Sequence, residues 1–230
     1  MLEFDRLEIR QDDFALTAHV SIPRGAHLAI IGPSGAGKST FLAALSGFVD
    51  PAAGRIVWDG TRIDGLAPAE RPVATLFQDN NLFPHLTAAR NVGLGLRPNG
   101  RMSARDRVEV EAILSAVGLP GMGDRKPGQL SGGQQSRVAL ARAVLQDRPI
   151  LALDEPFAAL GPALKAEMID LLHGIATRRG LTVLMVTHEP ADALRLGGQT
   201  LVVAGGAVTG PFETGPLLAD PPAGLRDYLG

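Results

Sequence analysis

Four short stretches carry side chains suited to handling a phosphate chain. The first, "GPSGAGKST" (Gly32–Thr40), fits the pattern G-x-x-x-x-G-K-[ST]. Glycines in such a loop free backbone N–H groups to wrap phosphate oxygens, and a helix starting behind the loop adds partial positive charge. Lys38 supplies a point charge for the outer phosphates and the Ser39 hydroxyl a ligand for Mg²⁺, with Thr40 close behind. The candidate nucleotide cradle is therefore Gly32, Pro33, Ser34, Gly35, Ala36, Gly37, Lys38, Ser39 and Thr40. The second stretch, "LALDEPFAALGPALK", ends an apolar run in Asp154 and Glu155. One carboxylate can hold a metal and the other can polarise water, although such a pair taken alone could equally cap a helix. The third, "LSGGQ" (Leu130–Gln134), places Ser131 and Gln134 as a capping box, so a helix should begin at Ser131. Gly132 and Gly133 leave that helix start open to an anion, while a capping box by itself is a structural device. The fourth, "VTHE", puts His188 just after an apolar run; a lone histidine is more often structural.

The elements needed to position these groups can be read from the patterns around them. "HLAIIG", "PILALD" and "LTVLMVT" are continuous apolar runs, as expected of strands covered on both faces in a largely parallel sheet. "KSTFLAALSG" and "PALKAEMIDLLHGIATRRG" have helical periodicity, with Gly47 and Gly180 as the expected C-caps. Residues 2–30 and "GRIVWDGTRI" (54–63) alternate, which predicts antiparallel strands or a hairpin. From about 88 to 128 no strong strand run occurs, and "RDRVEVEAILSAVG" is amphipathic and helical. The fold expected is an α/β core with an antiparallel edge and an inserted helical lobe, in one folding unit.

Composition narrows the function classes. At 230 residues the chain can bury roughly 70–75% of its unfolded surface. Its formal net charge of -2 provides no basic field for general nucleic-acid binding. With no cysteine, disulfides, thiol catalysis and cysteine-bound metals are excluded. No His or Cys stands at ligand spacing to His188. The opening "MLEFDRLEIRQDD" has acids where a signal peptide would be basic then apolar, and no run of about 18 apolar residues spans a bilayer. A soluble, cytoplasmic protein able to dock on a membrane protein is the expectation.

Taken in order, the phosphate loop, Gln78 in "LFQDNN", "LSGGQ", "ILALDE" and His188 in "VTHE" resemble the ATPases of the ABC-transporter family along essentially the whole chain. The resemblance implies a P-loop NTPase of ABC type: a RecA-like core with an antiparallel β edge subdomain and an inserted helical subdomain at about 88–138, within one nucleotide-binding domain, 1–230. It implies ATP as substrate, with Mg²⁺ held by Ser39, Gln78 and Asp154. It also implies that Glu155 polarises the attacking water, His188 contacts the γ-phosphate, and Gln78 senses metal and water at the lobe junction. Two copies would pair head to tail, so that Ser131, Gly132, Gly133 and Gln134 touch the ATP bound by the partner subunit.

Two departures stand out. The family stacks adenine on an aromatic about 25–30 residues before the phosphate-loop lysine; here that window reads "EIRQDDF", with Phe14 at its late edge and expected to pack in the strand "FALTAHV". The family pattern S-A-L-D after the glutamate is replaced by Ala158-Ala159-Leu160-Gly161. Loss of that carboxylate should leave hydrolysis intact and alter communication between the two ATP sites. The longer stretch "FQ-x-NNLF-x-HLT…N-[VI]-GLGL" is similar to the ATP-binding subunits of bacterial thiamine importers. That likeness implies permease subunits docking on the apolar "NNLFPHLT" loop, although Leu82, Phe83 and Leu86 could also simply pack the lobe junction. A periplasmic solute-binding protein would be an indirect partner, and the chain would sit peripherally on the cytoplasmic face of the inner membrane. The alternatives are an importer of iron(III), a polyamine or an oxyanion, an exporter ATPase, or a non-transport ABC ATPase.

Overall fold

A computed structural model describes residues 1–77, 79–222 and 225–226. One ten-stranded mixed sheet runs through the molecule among those residues. At one end lie the antiparallel strands β1 (Leu2–Gln11), β2 (Phe14–Ile22), β4 (Ala53–Trp58) and the short β5 (Thr61–Arg62). At the other end β3 (His27–Ile31), β8 (Thr182–Val186), β7 (Ile150–Asp154) and β6 (Val73–Leu76) pair in parallel. The hairpin of β9 (Gln199–Ala204) and β10 (Ala207–Glu213) stands between them, β9 against β3 and β10 against β2. The complete order is β5-β4-β1-β2-β10-β9-β3-β8-β7-β6.

Each parallel strand buries both faces, which explains its unbroken apolar run. Leu28, Ile30, Ile150, Ala152, Leu184 and Val186 face a core shared with the antiparallel strands and with Phe41, Leu42 and Leu45 of α1 (Lys38–Ser46). Their alternate neighbours Ala29, Ile31, Leu151, Leu153, Val183 and Met185 face a second core. That core is closed by α2 (Ala88–Gly93), α3 (Ala104–Ala116), α4 (Gly132–Val144) and α5 (Pro162–Arg179). The helices α2, α3 and α4 all lie in sequence between β6 and β7, where no strand run could be read. Two short helices, α6 (Pro190–Leu196) and α7 (Thr214–Ala219), complete the molecule.

The helix ends follow their chemistry. Gly47 closes α1 at φ 86°, and Gly180 closes α5 at φ 63°, left-handed positions that favour glycine. Arg71, 1% exposed, pushes its guanidinium into the C-terminus of α1. It donates to the carbonyls of Ala44 and Leu45, and to those of Asp64 and Leu66. A cation among a helix's last carbonyls both satisfies them and matches the helix dipole. No helix among the described residues is long and apolar enough to cross a membrane.

Candidate functional site

The C-terminal ends of β3, β7 and β8 bring three of the four stretches together, at the place where open α/β sheets bind ligands. After β3 the chain turns through Gly32 at φ 152°, where an added Cβ would lie 2.0 Å from the Val203 carbonyl oxygen. Gly37, at φ 100°, is the N-cap of α1, and a Cβ there would meet the Phe14 ring at 2.3 Å. Lys38 is buried, and its ammonium donates to the carbonyls of Gly32 (2.8 Å) and Pro33 (2.9 Å). Burial lowers its pKa, while the charges of Glu155 and Asp154 pull the other way.

The Ser39 hydroxyl donates to Asp154 Oδ1 at 3.0 Å, so the two residues expected to bind metal are already adjacent. Burial holds the Asp154 carboxyl above the usual range, partly offset by that hydrogen bond. An all-oxygen pair of one hydroxyl and one carboxylate suits a hard cation such as Mg²⁺, which binds through one or two carboxylates plus substrate phosphates. No cluster of three or more His, Cys, Asp or Glu side chains able to hold a metal by itself occurs among the described residues.

Glu155 follows directly, at φ 46°. A non-glycine residue there carries backbone strain, held here by its N–H donating to the Val186 carbonyl at 3.2 Å. Its Oε2 lies 3.3 Å from His188 Nδ1. Thr187 is anchored by its N–H to the Ile30 carbonyl at 3.2 Å, which sets His188 at the rim of the same strand ends. Lys38, Ser39, Asp154, Glu155 and His188 thus converge. Gln78 lies outside the described residues.

Phe14 has a second contact besides its strand packing. It opens β2, as expected of the strand "FALTAHV", but its ring rests on the phosphate loop at Gly37. With Gln11 it lines the cleft formed by residues 34–40 and Glu155. The signal was the early turn at Asp12, φ 48°, which folds β1 onto β2 and carries this end of the hairpin over the loop.

The signature stretch forms the predicted capping box. Gln134 N–H donates to Ser131 Oγ (3.3 Å) and Ser131 N–H to Gln134 Oε1 (3.0 Å). Gly132 is exposed and uncrowded, whereas a Cβ on Gly133 would strike Leu164 of α5 at 2.4 Å. The signature therefore lies against α5, with Ser131 and Gly132 presented outward, and none of its four residues lines the cleft of their own chain.

From the same helix, Arg142 donates to the Asn81 (2.8 Å) and Asn80 (2.7 Å) carbonyls, and Asn80 Nδ2 donates to Ser136 Oγ (3.2 Å). Asn80 and Asn81 sit at φ 55° and 45°, left-handed positions that asparagine tolerates. Buried Asn91 then fastens the remainder of the loop, accepting from Phe83 N–H (2.8 Å) and donating to the carbonyls of Phe83, Leu86 and Thr87. Phe83 is left 45% exposed, and Phe48 and Phe77 form an exposed edge-on pair with ring centroids 5.5 Å apart. Neither Arg71 nor Arg142 nor Asn91 carries a local motif that marks its partner.

Comparison with known proteins agrees with this geometry. A family model described as ABC transporter matches residues 16–158. The chain is 57% identical, over the full length of both, to the "Thiamine import ATP-binding protein ThiQ" of Cereibacter sphaeroides. It is 52% identical, again over both full lengths, to the protein of that name from a Ruegeria species. Among solved structures, a dimeric ATP-binding cassette in a post-hydrolysis state, bound to ADP and Pi, superposes with a TM-score of 0.78 at 29% identity. That match covers 93% of this chain and 99% of that one. The chain belongs to the ABC transporter family, among its ATP-hydrolysing cassettes.

Proposed function

We propose that the chain is the energy-coupling subunit of a bacterial importer for thiamine and its phosphates. The observation that carries this reading is the 57% identity, over both full lengths, to a relative named for thiamine import. Residues 1–230 act as one nucleotide-binding domain, with a helical subdomain at about 88–138. The protein works as a head-to-tail pair, a reading supported by the dimeric cassette it resembles.

In this reading the backbone of Gly32–Thr40 and the Lys38 ammonium hold the ATP phosphates. Ser39 and Asp154 hold Mg²⁺, together with Gln78; when bound, the ion neutralises charge on the outer phosphates. Glu155 accepts a proton from water as its oxygen attacks the γ-phosphorus in line with the departing ADP oxygen. Such assistance contributes about 10²–10⁴-fold. His188, beside Glu155, orients water and γ-phosphate. Ser131, Gly132, Gly133 and Gln134 of the partner subunit close the site from the other side.

The exposed aromatics Phe48, Phe77 and Phe83 support a docking surface for a permease helix. In this reading the protein sits peripherally on the cytoplasmic face of the inner membrane, supplied with solute by a periplasmic binding protein. The test is labelled thiamine uptake in cells lacking the protein, complemented with the wild-type chain or Glu155→Gln at equal expression. Restoration by wild type alone is expected. Failure of both, with ATP hydrolysis intact in the purified chain, would remove thiamine as the solute. Full restoration by Glu155→Gln would remove the catalytic role.

A further inference from the structure

Lys165 is among the few charged side chains in this protein that are buried, being 5% exposed on α5. It is the last residue of "LALDEPFAALGPALK", ten residues beyond Glu155, with no role assigned to it above. Its ammonium is hydrogen-bonded to Glu189 Oε1 and stands 3.7 Å from Asp192 Oδ2. Glu189 follows His188 directly as the N-cap of α6, and Asp192 lies in the first turn of that helix. Thr187 Oγ1 donates to Asp192 Oδ2 at 2.7 Å and accepts from Glu189 N–H at 3.1 Å. The Glu189 carboxylate in turn lies 3.6 Å from His188 Nε2, while His188 Nδ1 faces Glu155 Oε2 at 3.3 Å. Lys165, Glu155, Thr187, His188 and Asp192 wall one small cavity beneath the site.

A buried ammonium persists when paired and hydrogen-bonded, and here the two partners sit at the start of α6, directly after His188. The hydrogen bond from Lys165 holds the Glu189 carboxyl below the usual range. The effect is a brace between two segments that the chain otherwise supplies separately: the helix after Glu155 and the turn after β8.

We propose that Lys165 is a positioning residue for hydrolysis. Through Glu189 and Asp192 it fixes the turn that sets the His188 imidazole against Glu155. This rests on Glu155 and His188 acting as described above. A misplacement of reacting groups by about an ångström can cost up to 10²-fold in rate, so a loosened turn should be visible in kcat.

The test is steady-state Mg-ATP hydrolysis by the purified full-length chain, well below each variant's Tm. Lys165→Met should lower kcat about tenfold while KM for ATP changes less than twofold, because the brace touches no part of the phosphate cradle. Lys165→Arg should recover most of the loss. Glu189→Gln keeps the side-chain shape and is partly exposed, so it serves if Lys165→Met does not fold; it should also lower kcat at unchanged KM. Combining the two substitutions should cost little more than the larger single loss, since both cut one linkage. A lowered Tm with wild-type kcat in Lys165→Met, or in Glu189→Gln where only that variant folds, would make the brace purely structural and overturn the proposal. Glu155→Gln and His188→Ala are run alongside. Wild-type rates in those two would overturn the site itself; their loss beside an unchanged Lys165→Met would overturn the brace alone.

Discussion

At Phe14 a single ring stands over the start of the helix that follows the phosphate loop. It packs on Gly37 and, with Gln11, lines the cleft above residues 34–40. Stacking of a base on an aromatic ring is worth about 1–3 kcal/mol, so Phe14→Ala should weaken ATP binding about tenfold, measured by titration. Tripolyphosphate, which has no base, separates the two effects of the ring. If its affinity falls as far as that of ATP, Phe14 supports the loop rather than the base. Gly161 is the converse case, a side chain whose absence leaves room. It is the exposed N-cap of α5 at φ −64°, with no side-chain cap and nothing within 4 Å of an added Cβ. Gly161→Asp should stabilise the protein by a few tenths of a kcal/mol, raising Tm by about 1 °C, with kcat retained. Sequence spacing alone picked out residues that the fold brings together at the strand ends, because each lies in a contiguous loop that follows its own strand. It could not place Phe14, whose role comes from a hairpin turn that swings β1 and β2 across a loop reached only after β3.

Elements are tied together here by arginines more than by caps. Arg71 reaches back from the approach to β6 into the end of α1, whose other end holds Lys38. Arg71→Met takes a donor from four carbonyls, three of them in buried contacts, and should cost ~3 kcal/mol, lowering Tm by roughly 6–12 °C in a thermal melt. Arg97 makes the matching contact in the helical region. It donates to both oxygens of Asp106 at 3.1 Å, while Asp106 also accepts from Ser103 N–H at the start of α3. Arg97 and these Ser103 bonds hold the Asp106 carboxyl down to about 2. Because the folded value is depressed, the contribution is present above the unfolded value of about 4 and is lost as pH falls toward 2. The Tm gap between wild type and Asp106→Asn should therefore be wide at pH 7 and narrow steadily below pH 4. A gap as wide at pH 2.5 as at pH 7 would mean that shape rather than charge is at work. Helix α3 itself was legible, from its amphipathic run. Its cap partner Arg97, across a loop, was not. The signature helix was legible to the residue, since the Ser131 capping box is local, whereas the grip of Arg142 on Asn80 and Asn81 joins positions some sixty apart. Strand β6 escaped notice because "VATL" is only four residues long.

The whole molecule is a sheet whose two halves obey different rules, antiparallel at one end and parallel at the other. Both halves could be read from alternation and from unbroken apolar runs. Their joint could not be, although a cue was present: Gly205 and Gly206, both at positive φ, make the two-residue turn typical of a tight hairpin. Nothing local says that this hairpin enters the middle of the sheet. Its placement has a consequence for biosynthesis. The strands that connect the two halves leave the ribosome after every other strand of the described sheet, so until about residue 213 emerges, β2 and β3 both present open edges. At roughly 5–20 residues per second that interval is about ten to forty seconds, long enough for unpaired edges to find one another on neighbouring chains. A chain stopped after Gly198 should accumulate as insoluble aggregate or stay bound to chaperones, and one stopped after Ala219 should remain soluble, as a fractionated pulse-label would show. For this protein, assembly of the sheet is completed by its last strands.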